Sequence, residues 1–399
     1  MPLPDERLQR AAFSAPYAAY LLSCEGRTLH ATDHYRWILA WGEQPSHSLN
    51  DLNSPGGWWF GALPYGLGGY FEPTTRLKET TADVQGFWPQ GVRAETRAGE
   101  LQHWGAAPPT VIPLGGITKG PLGPFGSNFT AEGYTAAVAA IREHIRRGEV
   151  YELNLSQRFA ADGVAWGDPL GVFQALVAAS PVPMAALLKL GTRWVLSASP
   201  ERFLRGVGGQ LVTQPIKGTA RRAADPATDA QVAQALAQGE KERAENVMIV
   251  DLARNDLNRV CMPGTVVAER LFEVQTYARL HHLVSTVAGT LAPGFGLPDV
   301  LRATFPPGSM TGAPKVAALQ LIEQYEATPR GLYSGAVGYV NPAGDFDFNV
   351  LIRSLIYDSA SGQASYHVGG AITYDSDPAA EYAETLLKAE ALQAALARL

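Results

Sequence analysis

The sequence has very few cysteines and no long apolar run. Its 399 residues include only Cys24 and Cys261, and no stretch of about 18 consecutive apolar residues occurs. The two cysteines are far apart and lack metal-ligand spacing, which is typical of a reducing compartment and argues against a zinc site, although a single disulfide stays open. The amino terminus has no basic-then-apolar leader, so the sequence predicts a cytoplasmic protein that does not span a membrane.

Positive charge is not in excess either. The formal net charge is −6, which predicts no general affinity for nucleic acid or for anionic membrane surfaces. An anionic substrate would therefore need local positive charge or a metal ion. The sequence also lacks a P-loop, a Rossmann fingerprint and a G-x-S-x-G motif, so nucleotide-binding folds of those types and the α/β hydrolases have no support.

The composition, with 46% hydrophobic and 18% charged residues, is that of a globular protein. Residues 1–105 are rich in Trp, Tyr and Gly and predict a small strand-rich region that is integrated with the main fold and has no long helix. Gly66–Tyr70 predicts a strand with a bulge. Residues 106–126 contain five prolines and five glycines and predict a linker. Residues 127–399 form the predicted catalytic domain.

Helical and strand patterns alternate irregularly after the predicted linker. Helices are predicted over 130–147 with Thr130 as the cap, over 228–255, over Lys315–Tyr325 and over 378–399. Strands are predicted over 150–160, 184–190, 194–198, 335–340 and 349–357. This mixture favours an α/β or α+β sheet protein over a simple βαβ array.

Lys217 lies in the segment Gln214–Thr219, between a proline and a glycine. Pro215 fixes its backbone φ and Gly218 tolerates conformations that other residues avoid, so the lysine has a constrained position near a strand end. A desolvated lysine is a nucleophile. From the residues alone, a solvated turn lysine is the more common interpretation of such a motif.

Two pairs of glutamates have helical i, i+3 spacing: Glu242 with Glu245, and Glu381 with Glu384. This spacing puts both carboxylates of a pair on one helix face, and two such pairs could hold Mg²⁺ together with water and substrate oxygens. The alternative is ordinary solvated helix charge, because Lys388 follows Glu384 at i+4.

Histidine and glycine supply two further candidates. His281–His282 could include an acid/base histidine or be part of the core. Glycine clusters at 308–312, 335–338 and 369–371 could bring backbone N–H groups close to an anion.

Taken together, these motifs resemble those of the chorismate-utilising enzymes. The matching segments are Glu149–Arg158, Ser199–Phe203, Gln214–Thr219, Lys241–Asp256, His282–Ser285, Phe305–Lys315, Arg330–Tyr339, Ile352–Ser354 and Gly369–Lys388. The resemblance covers residues 125–399 strongly and the first third loosely, through Gly66–Tyr70. It implies two large antiparallel sheets packed as a β-sandwich, flanked by helices, with the site in a cleft.

The resemblance also implies roles for individual residues. Glu245 and Glu384 resemble the direct Mg²⁺ ligands. Glu242 and Glu381 resemble residues that support those ligands or contact the ion through water. His282 resembles the family's active-site histidine. The positions that match chorismate contacts are Gly218, Thr219, Tyr333, Arg353, Gly369, Gly370 and Ala371.

Within the family, the lysine at position 217 makes the chain resemble the aminodeoxychorismate synthase large subunits. Anthranilate synthases usually carry alanine at this position. This branch implies amination of chorismate through a covalent Lys217 adduct, with Glu201 protonating the departing hydroxyl. It implies ammonia from a separate glutamine amidotransferase subunit and a place in 4-aminobenzoate and folate biosynthesis. An anthranilate synthase large subunit, or a non-catalytic relative that binds chorismate or tryptophan, remains the alternative.

Three residues depart from the family pattern. Glu152 stands where the amino-transferring members commonly carry glutamine and where isochorismate and salicylate synthases carry a water-activating lysine. Ala371 replaces a frequent third glycine. Met184 replaces a tyrosine near the segment where relatives bind tryptophan.

Overall fold

The computed structural model describes residues 5–23, 34–53, 56–109 and 124–396. The strands are β1 (Tyr17–Leu22), β2 (Tyr35–Gly42), β3 (Gln44–Ser48), β4 (Trp59–Leu63), β5 (Asp83–Trp88), β6 (Gly91–Thr96), β7 (Leu101–Gly105), β8 (Gly126–Ser127), β9 (Glu152–Ala161), β10 (Met184–Leu190), β11 (Arg193–Ser199), β12 (Arg202–Val207), β13 (Gln210–Gln214), β14 (Ile216–Arg221), β15 (Val267–Thr276), β16 (Leu280–Thr290), β17 (Gly312–Ala313), β18 (Ala336–Val340), β19 (Phe346–Val350), β20 (Ser354–Asp358) and β21 (Gln363–Ile372). The helices are α1 (Glu6–Ser14), α2 (Leu67–Phe71), α3 (Ala131–Arg146), α4 (Pro169–Ala179), α5 (Pro226–Gln238), α6 (Glu240–Asn258), α7 (Leu297–Thr304), α8 (Lys315–Tyr325) and α9 (Pro378–Leu396).

The strands form two large antiparallel sheets. The first has 11 strands in the order β17-β9-β21-β20-β11-β10-β1-β2-β6-β7, with β8 paired to β9. The second has 10 strands in the order β14-β16-β13-β12-β19-β18-β4-β5-β3, with β15 paired to β16. The predicted fold class, two large antiparallel sheets with flanking helices, is confirmed.

Side-chain alternation along the strands explains why the two sheets pack. Tyr20 and Leu39 belong to a cluster that also contains Phe13 of α1 and Phe173 of α4, so they face the helices. Ala19, the neighbour of Tyr20, belongs instead to a cluster that joins strands of both sheets. Because successive side chains point to opposite faces of a strand, each sheet has one face toward the other sheet and one toward helices.

Strands from the first 105 residues continue both sheets: β1, β2, β6 and β7 extend the first, and β3, β4 and β5 extend the second. Most of the predicted linker, residues 110–123, lies outside the described residues. One prediction for this region is wrong, because Gly66–Tyr70 includes most of helix α2 instead of a strand. Among the described residues of this region the longest helix is α1, with nine residues. The glycines there allow close packing, since a Cβ on Gly68 would lie 2.6 Å from Pro306.

Two other predicted boundaries are corrected. The single helix over 228–255 is wrong, because Gly239 separates α5 from α6 and a Cβ there would lie 2.1 Å from the Glu242 carboxylate. The single strand over 349–357 is also wrong. It is split into β19 and β20, which belong to different sheets, and Arg353 has a positive φ of 50° at the break. The helix capped by Thr130 is confirmed, since its hydroxyl accepts from the Gly133 N–H at 3.0 Å.

Candidate active site

Two chain segments that cross between the sheets lie side by side. Glu201 lies between β11 of the first sheet and β12 of the second, and Arg353 lies between β19 of the second sheet and β20 of the first. The Val350 N–H donates to the Glu201 carbonyl at 3.0 Å, and the Ala198 N–H donates to the Arg353 carbonyl at 3.1 Å. These bonds hold a carboxylic acid and a guanidinium at the same junction of the sheets.

Glu201 is a buried acid with an unusual pKa. Burial raises its pKa to about 7, while hydrogen bonds from the Ser309 side chain and the Ile216 backbone, and the charges of Lys217 and Arg353, oppose that rise. Because the pKa is close to neutral, a large fraction of this carboxyl carries a proton at physiological pH. A carboxyl of this kind is suited to donate a proton to a leaving group.

Lys217 lies on β14 at an irregular point of the sheet. The pairing of β14 with β16 shifts register between Ile216 and Thr219, and Gly218 within that bulge has a φ of +93°. The Lys217 side chain is 8% exposed, and its Nζ contacts the Oε1 atom of Glu152, which is 1% exposed. Since Glu152 begins β9 of the first sheet, the pair joins the two sheets across their interface.

His282 supports the same bulge from β16. It pairs in register with Thr219, and its Nδ1 shares a hydrogen bond of 2.9 Å with the Thr219 hydroxyl. Burial and the nearby Arg353 lower its pKa to about 3, although a hydrogen bond with the Gly218 backbone opposes the shift. The imidazole is therefore neutral near pH 7, which favours a role in positioning Gly218 and Thr219 over proton transfer.

Tyr333 lies in a cluster whose other members the sequence reasoning did not single out. Its ring stacks on His367 with centroids 4.9 Å apart and planes at 10°. Arg330 lies 5.8 Å above the Tyr333 ring, pairs with the buried Glu326 at 2.7 Å, and donates to the Asn154 carbonyl at 2.8 Å. The i, i+4 spacing of Glu326 and Arg330 was the available signal for this pair.

The glycine segment Gly369–Ala371 lies on β21 and pairs with β9, with Ala371 opposite Asn154. A Cβ on Gly369 would lie 2.5 Å from the Leu155 carbonyl, and one on Gly370 would lie 3.2 Å from Glu381 Oε2. The absence of side chains at these two positions therefore leaves the backbone open to close approach. Ala371 keeps a methyl group in the same segment.

The four predicted magnesium ligands lie on two helices. Glu242 and Glu245 are on α6, where the Glu242 stem packs against Gly218, and Glu381 and Glu384 are on α9. Glu381 accepts from the Ser376 hydroxyl at 2.7 Å. Within the described ranges, no three His, Cys, Asp or Glu side chains are close enough to hold a metal ion by themselves. The predicted convergence of all four glutamates stays a prediction.

The donor chemistry of Glu245 and Glu384 nevertheless fits Mg²⁺. Burial raises the pKa of Glu245, and the neighbouring charges of Glu152 and Glu242 add to the rise while Lys217 opposes it. Burial also acts to raise the pKa of Glu384, but the charge of Lys388 and its hydrogen bond outweigh burial, so the pKa of Glu384 is lowered. The exposed Lys241 acts electrostatically on both glutamates. A cation that is bound by these carboxylate oxygens, with substrate and water oxygens as its other ligands, would neutralise the negative charge of Glu245.

The structure thus brings Lys217, Glu201, His282 and Arg353 to one junction, together with the bulge residues Gly218 and Thr219. The glycine segment on the first sheet and Tyr333 lie beside this junction. Arg330 lies over the Tyr333 ring and donates to the Asn154 carbonyl, and Ala371 of the glycine segment pairs with Asn154, two residues from Glu152. No helix in the described part of the chain is long and apolar enough to cross a membrane.

Comparison with known proteins identifies relatives by sequence. Residues 6–394 match the family of chorismate binding enzymes. The chain is 48% identical over 264 residues to an aminodeoxychorismate synthase of Streptomyces pristinaespiralis, covering 66% of this chain and 36% of that protein. It is 42% identical over 289 residues to anthranilate synthase component 1 of Streptomyces coelicolor, covering 72% of this chain and 56% of that protein.

The fold is similar to that of a solved relative. The crystal structure of anthranilate synthase component I from Streptococcus pneumoniae superposes with a TM-score of 0.76 at 25% identity, covering 92% of this chain and 94% of that chain. The chain spans 36% and 56% of the two sequence relatives. Because the family match includes nearly every described residue of both sheets, the resemblance inferred from the motifs is confirmed, and the chain belongs to the chorismate binding enzyme family.

Proposed function

We propose that this chain catalyses the Mg²⁺-dependent amination of chorismate to 4-amino-4-deoxychorismate, a step toward 4-aminobenzoate and folate. The observation that carries the proposal is the buried Lys217 Nζ, in contact with Glu152 and within electrostatic range of Glu201 and Glu245. A desolvated lysine amine can form a covalent intermediate that divides one difficult displacement into two easier ones. Similarity to a protein named aminodeoxychorismate synthase supports this choice.

The residues of the junction have distinct roles in this reaction. The Lys217 amine adds to ring carbon 2 while Glu201, in its protonated form, donates to the departing 4-hydroxyl. Arg353 supplies positive charge for a substrate carboxylate, and neutral His282 keeps the Thr219 hydroxyl in place. When bound, Mg²⁺ would be held by the glutamates of α6 and α9 and would neutralise the ring carboxylate.

Ammonia completes the reaction by attacking carbon 4 and releasing Lys217. We assign its supply to a separate glutamine amidotransferase subunit, with free ammonium salts as the substitute in vitro. The Streptomyces coelicolor relative is named a component 1, which supports a two-component arrangement.

Product analysis tests the proposal. The full chain is incubated with chorismate, Mg²⁺ and ammonium, and the products are separated by liquid chromatography with mass detection. We expect 4-amino-4-deoxychorismate without release of pyruvate. Complete absence of turnover with retained chorismate binding would instead indicate a non-catalytic relative.

Anthranilate synthesis is the second candidate, because the chain is similar to anthranilate synthases in both sequence and fold. The two reactions differ in the ring carbon that is aminated and in the loss of pyruvate. Anthranilate with stoichiometric pyruvate in the same assay would overturn the leading proposal. Lys217 argues against this outcome, since a nucleophilic lysine is needed only for amination at carbon 4.

A further inference from the structure

A cavity of about 30 Å³ adjoins Glu201 on the side of helix α6. Its wall combines apolar side chains with polar ones, and the polar ones are Glu201, Arg202, Thr213, Asp256, Thr304 and Ser309. Among the described residues, the wall includes none of Lys217, His282 and Arg353. The cavity therefore reaches the proposed proton donor from a side other than the one that holds the nucleophile.

The carboxyl group of Glu201 itself lies at this cavity. The Ser309 side chain and the Ile216 backbone both form hydrogen bonds with that carboxyl. Ser309 belongs to the cavity wall, and so does Pro215, the residue before Ile216. Because both hydrogen-bonding partners of the carboxyl lie on or next to the wall, a molecule in the cavity can contact the carboxyl.

The cavity is large enough and polar enough to hold water. A buried water needs about 10–15 Å³ of such space and two to four polar partners, so about 30 Å³ gives room for about two waters. Hydrogen-bonding partners are supplied by the hydroxyls of Thr213 and Ser309 and by the carboxyl groups of Glu201 and Asp256. Thr213 and Ala253 of the wall are only half-buried, so the cavity approaches the protein surface.

The substrate side of Glu201 opposes the entry of a proton. Glu201 lies within electrostatic range of Lys217 and Arg353, and both cations act to lower the pKa of its carboxyl. The same two cations repel an incoming proton, which is itself positively charged. A proton that reaches Glu201 from the cavity avoids this repulsion.

The cavity side is different, because the charges of its wall are balanced. Arg202 donates to both carboxylate oxygens of Asp347, at 2.8 and 3.0 Å. Asp256 accepts from Lys315 Nζ at 2.5 Å. Among the residues that the structure describes, Lys315 and Arg259, which both act electrostatically on Asp256, lie outside the wall. The charge that faces the cavity at this end is therefore the negative one of Asp256.

We propose that this cavity holds the water that returns a proton to Glu201 after each turnover. The inference rests on the proposed amination, in which Glu201 gives its proton to the departing 4-hydroxyl. The new O–H bond forms as the bond between carbon 4 and oxygen breaks, water leaves, and Glu201 remains as a carboxylate. A cavity water then gives a proton to this carboxylate and takes one from the next water, which takes one from a buffer acid in solution. One proton thus enters from solution in each turnover.

The test changes the cavity wall. Ala253→Val adds two methyl groups to it, and Thr213→Val removes a hydroxyl from it at nearly constant size. With saturating chorismate, Mg²⁺ and ammonium, each variant should lower kcat about tenfold, since a positioned proton donor contributes roughly 100- to 10,000-fold. The KM for chorismate should stay within about twofold of wild type, because no substrate contact is changed. Ala139→Val, at an exposed position on α3, is the matched control and should keep the wild-type kcat.

Buffer dependence separates proton supply from a structural defect. Raising the imidazole concentration at constant pH and ionic strength should restore kcat in both variants, because imidazolium protonates Glu201 directly from the vacated substrate site. The wild-type kcat should not change with imidazole. If Ala253→Val has a lower melting temperature than wild type, Thr213→Val decides.

Two outcomes overturn this inference alone: an aminating wild type whose kcat is kept in the folded variants, and a loss of kcat that imidazole does not restore. A wild type that makes no 4-aminated product overturns the proposed function, and the inference with it.

Discussion

Replacing Glu201 by glutamine should change both the stability and the activity of the protein in a pH-dependent way. Glutamine keeps the size of the side chain and removes its titration. Burial raises the Glu201 pKa from its ordinary value of 4.5 to about 7. A shift of this size corresponds to about 3 kcal/mol between the two protonation states.

The direction follows from proton binding. Between pH 4.5 and about 7 the folded protein holds a proton on Glu201 that the unfolded chain has lost. The free energy of unfolding of the wild type therefore falls as the pH rises through this window, by up to about 1.4 kcal/mol per pH unit from this group, and the effect levels off above pH 7. Glu201→Gln lacks the effect, so its stability relative to wild type should increase by about 2–3 kcal/mol between pH 5 and pH 8.

Urea unfolding followed by tryptophan fluorescence at the two pH values measures this difference, with Glu132→Gln as the exposed control. The same residue predicts an activity profile: kcat/KM of the wild type should fall about tenfold per pH unit well above pH 7, as the proton donor is lost. An equal stability difference at pH 5 and pH 8 would refute the raised pKa. An alkaline limb that persists unchanged in Glu201→Gln would refute the role of Glu201 as proton donor.

Four further substitutions test other parts of the site. Lys217→Ala should reduce amination by more than about 1,000-fold, while calorimetry should still detect chorismate binding. Lys78→Ala, which removes an exposed lysine, should leave the rate unchanged. An unchanged rate in Lys217→Ala would exclude a covalent adduct, which mass spectrometry of trapped wild type should detect. Glu245→Gln should weaken the Mg²⁺ dependence of chorismate binding, and a wild-type response to Mg²⁺ would place the ion elsewhere. Gly218→Ala should lower the free energy of unfolding by about 1–2 kcal/mol because of its φ of +93°. Arg330→Ala should lower it by about 3–5 kcal/mol, since its buried carboxylate partner loses its counter-charge; urea midpoints equal to wild type would contradict both expectations.

Much of the fold could be predicted from local patterns, because alternation and capping depend on neighbouring residues. The helix capped by Thr130 is an example. The places where the chain changes sheet could not be predicted in this way. Residues 349–357 are predicted as one strand, yet Arg353 adopts a positive φ and directs β20 into the other sheet. A non-glycine residue with that backbone conformation leaves no mark in hydrophobic periodicity.

The same limit applies to the chemistry of Lys217. Its position between Pro215 and Gly218 predicts a constrained backbone but not a buried amine, and the sequence therefore left a solvated turn lysine open. The deciding contact is with Glu152, which is 65 positions away and belongs to the other sheet. A buried carboxylate requires a nearby cation, because an uncompensated charge in the interior costs several kcal/mol. Glutamate at the start of β9 thus positions Lys217 Nζ at the junction of the sheets, and the nucleophile and the residue that departs from the family pattern must be considered as one unit.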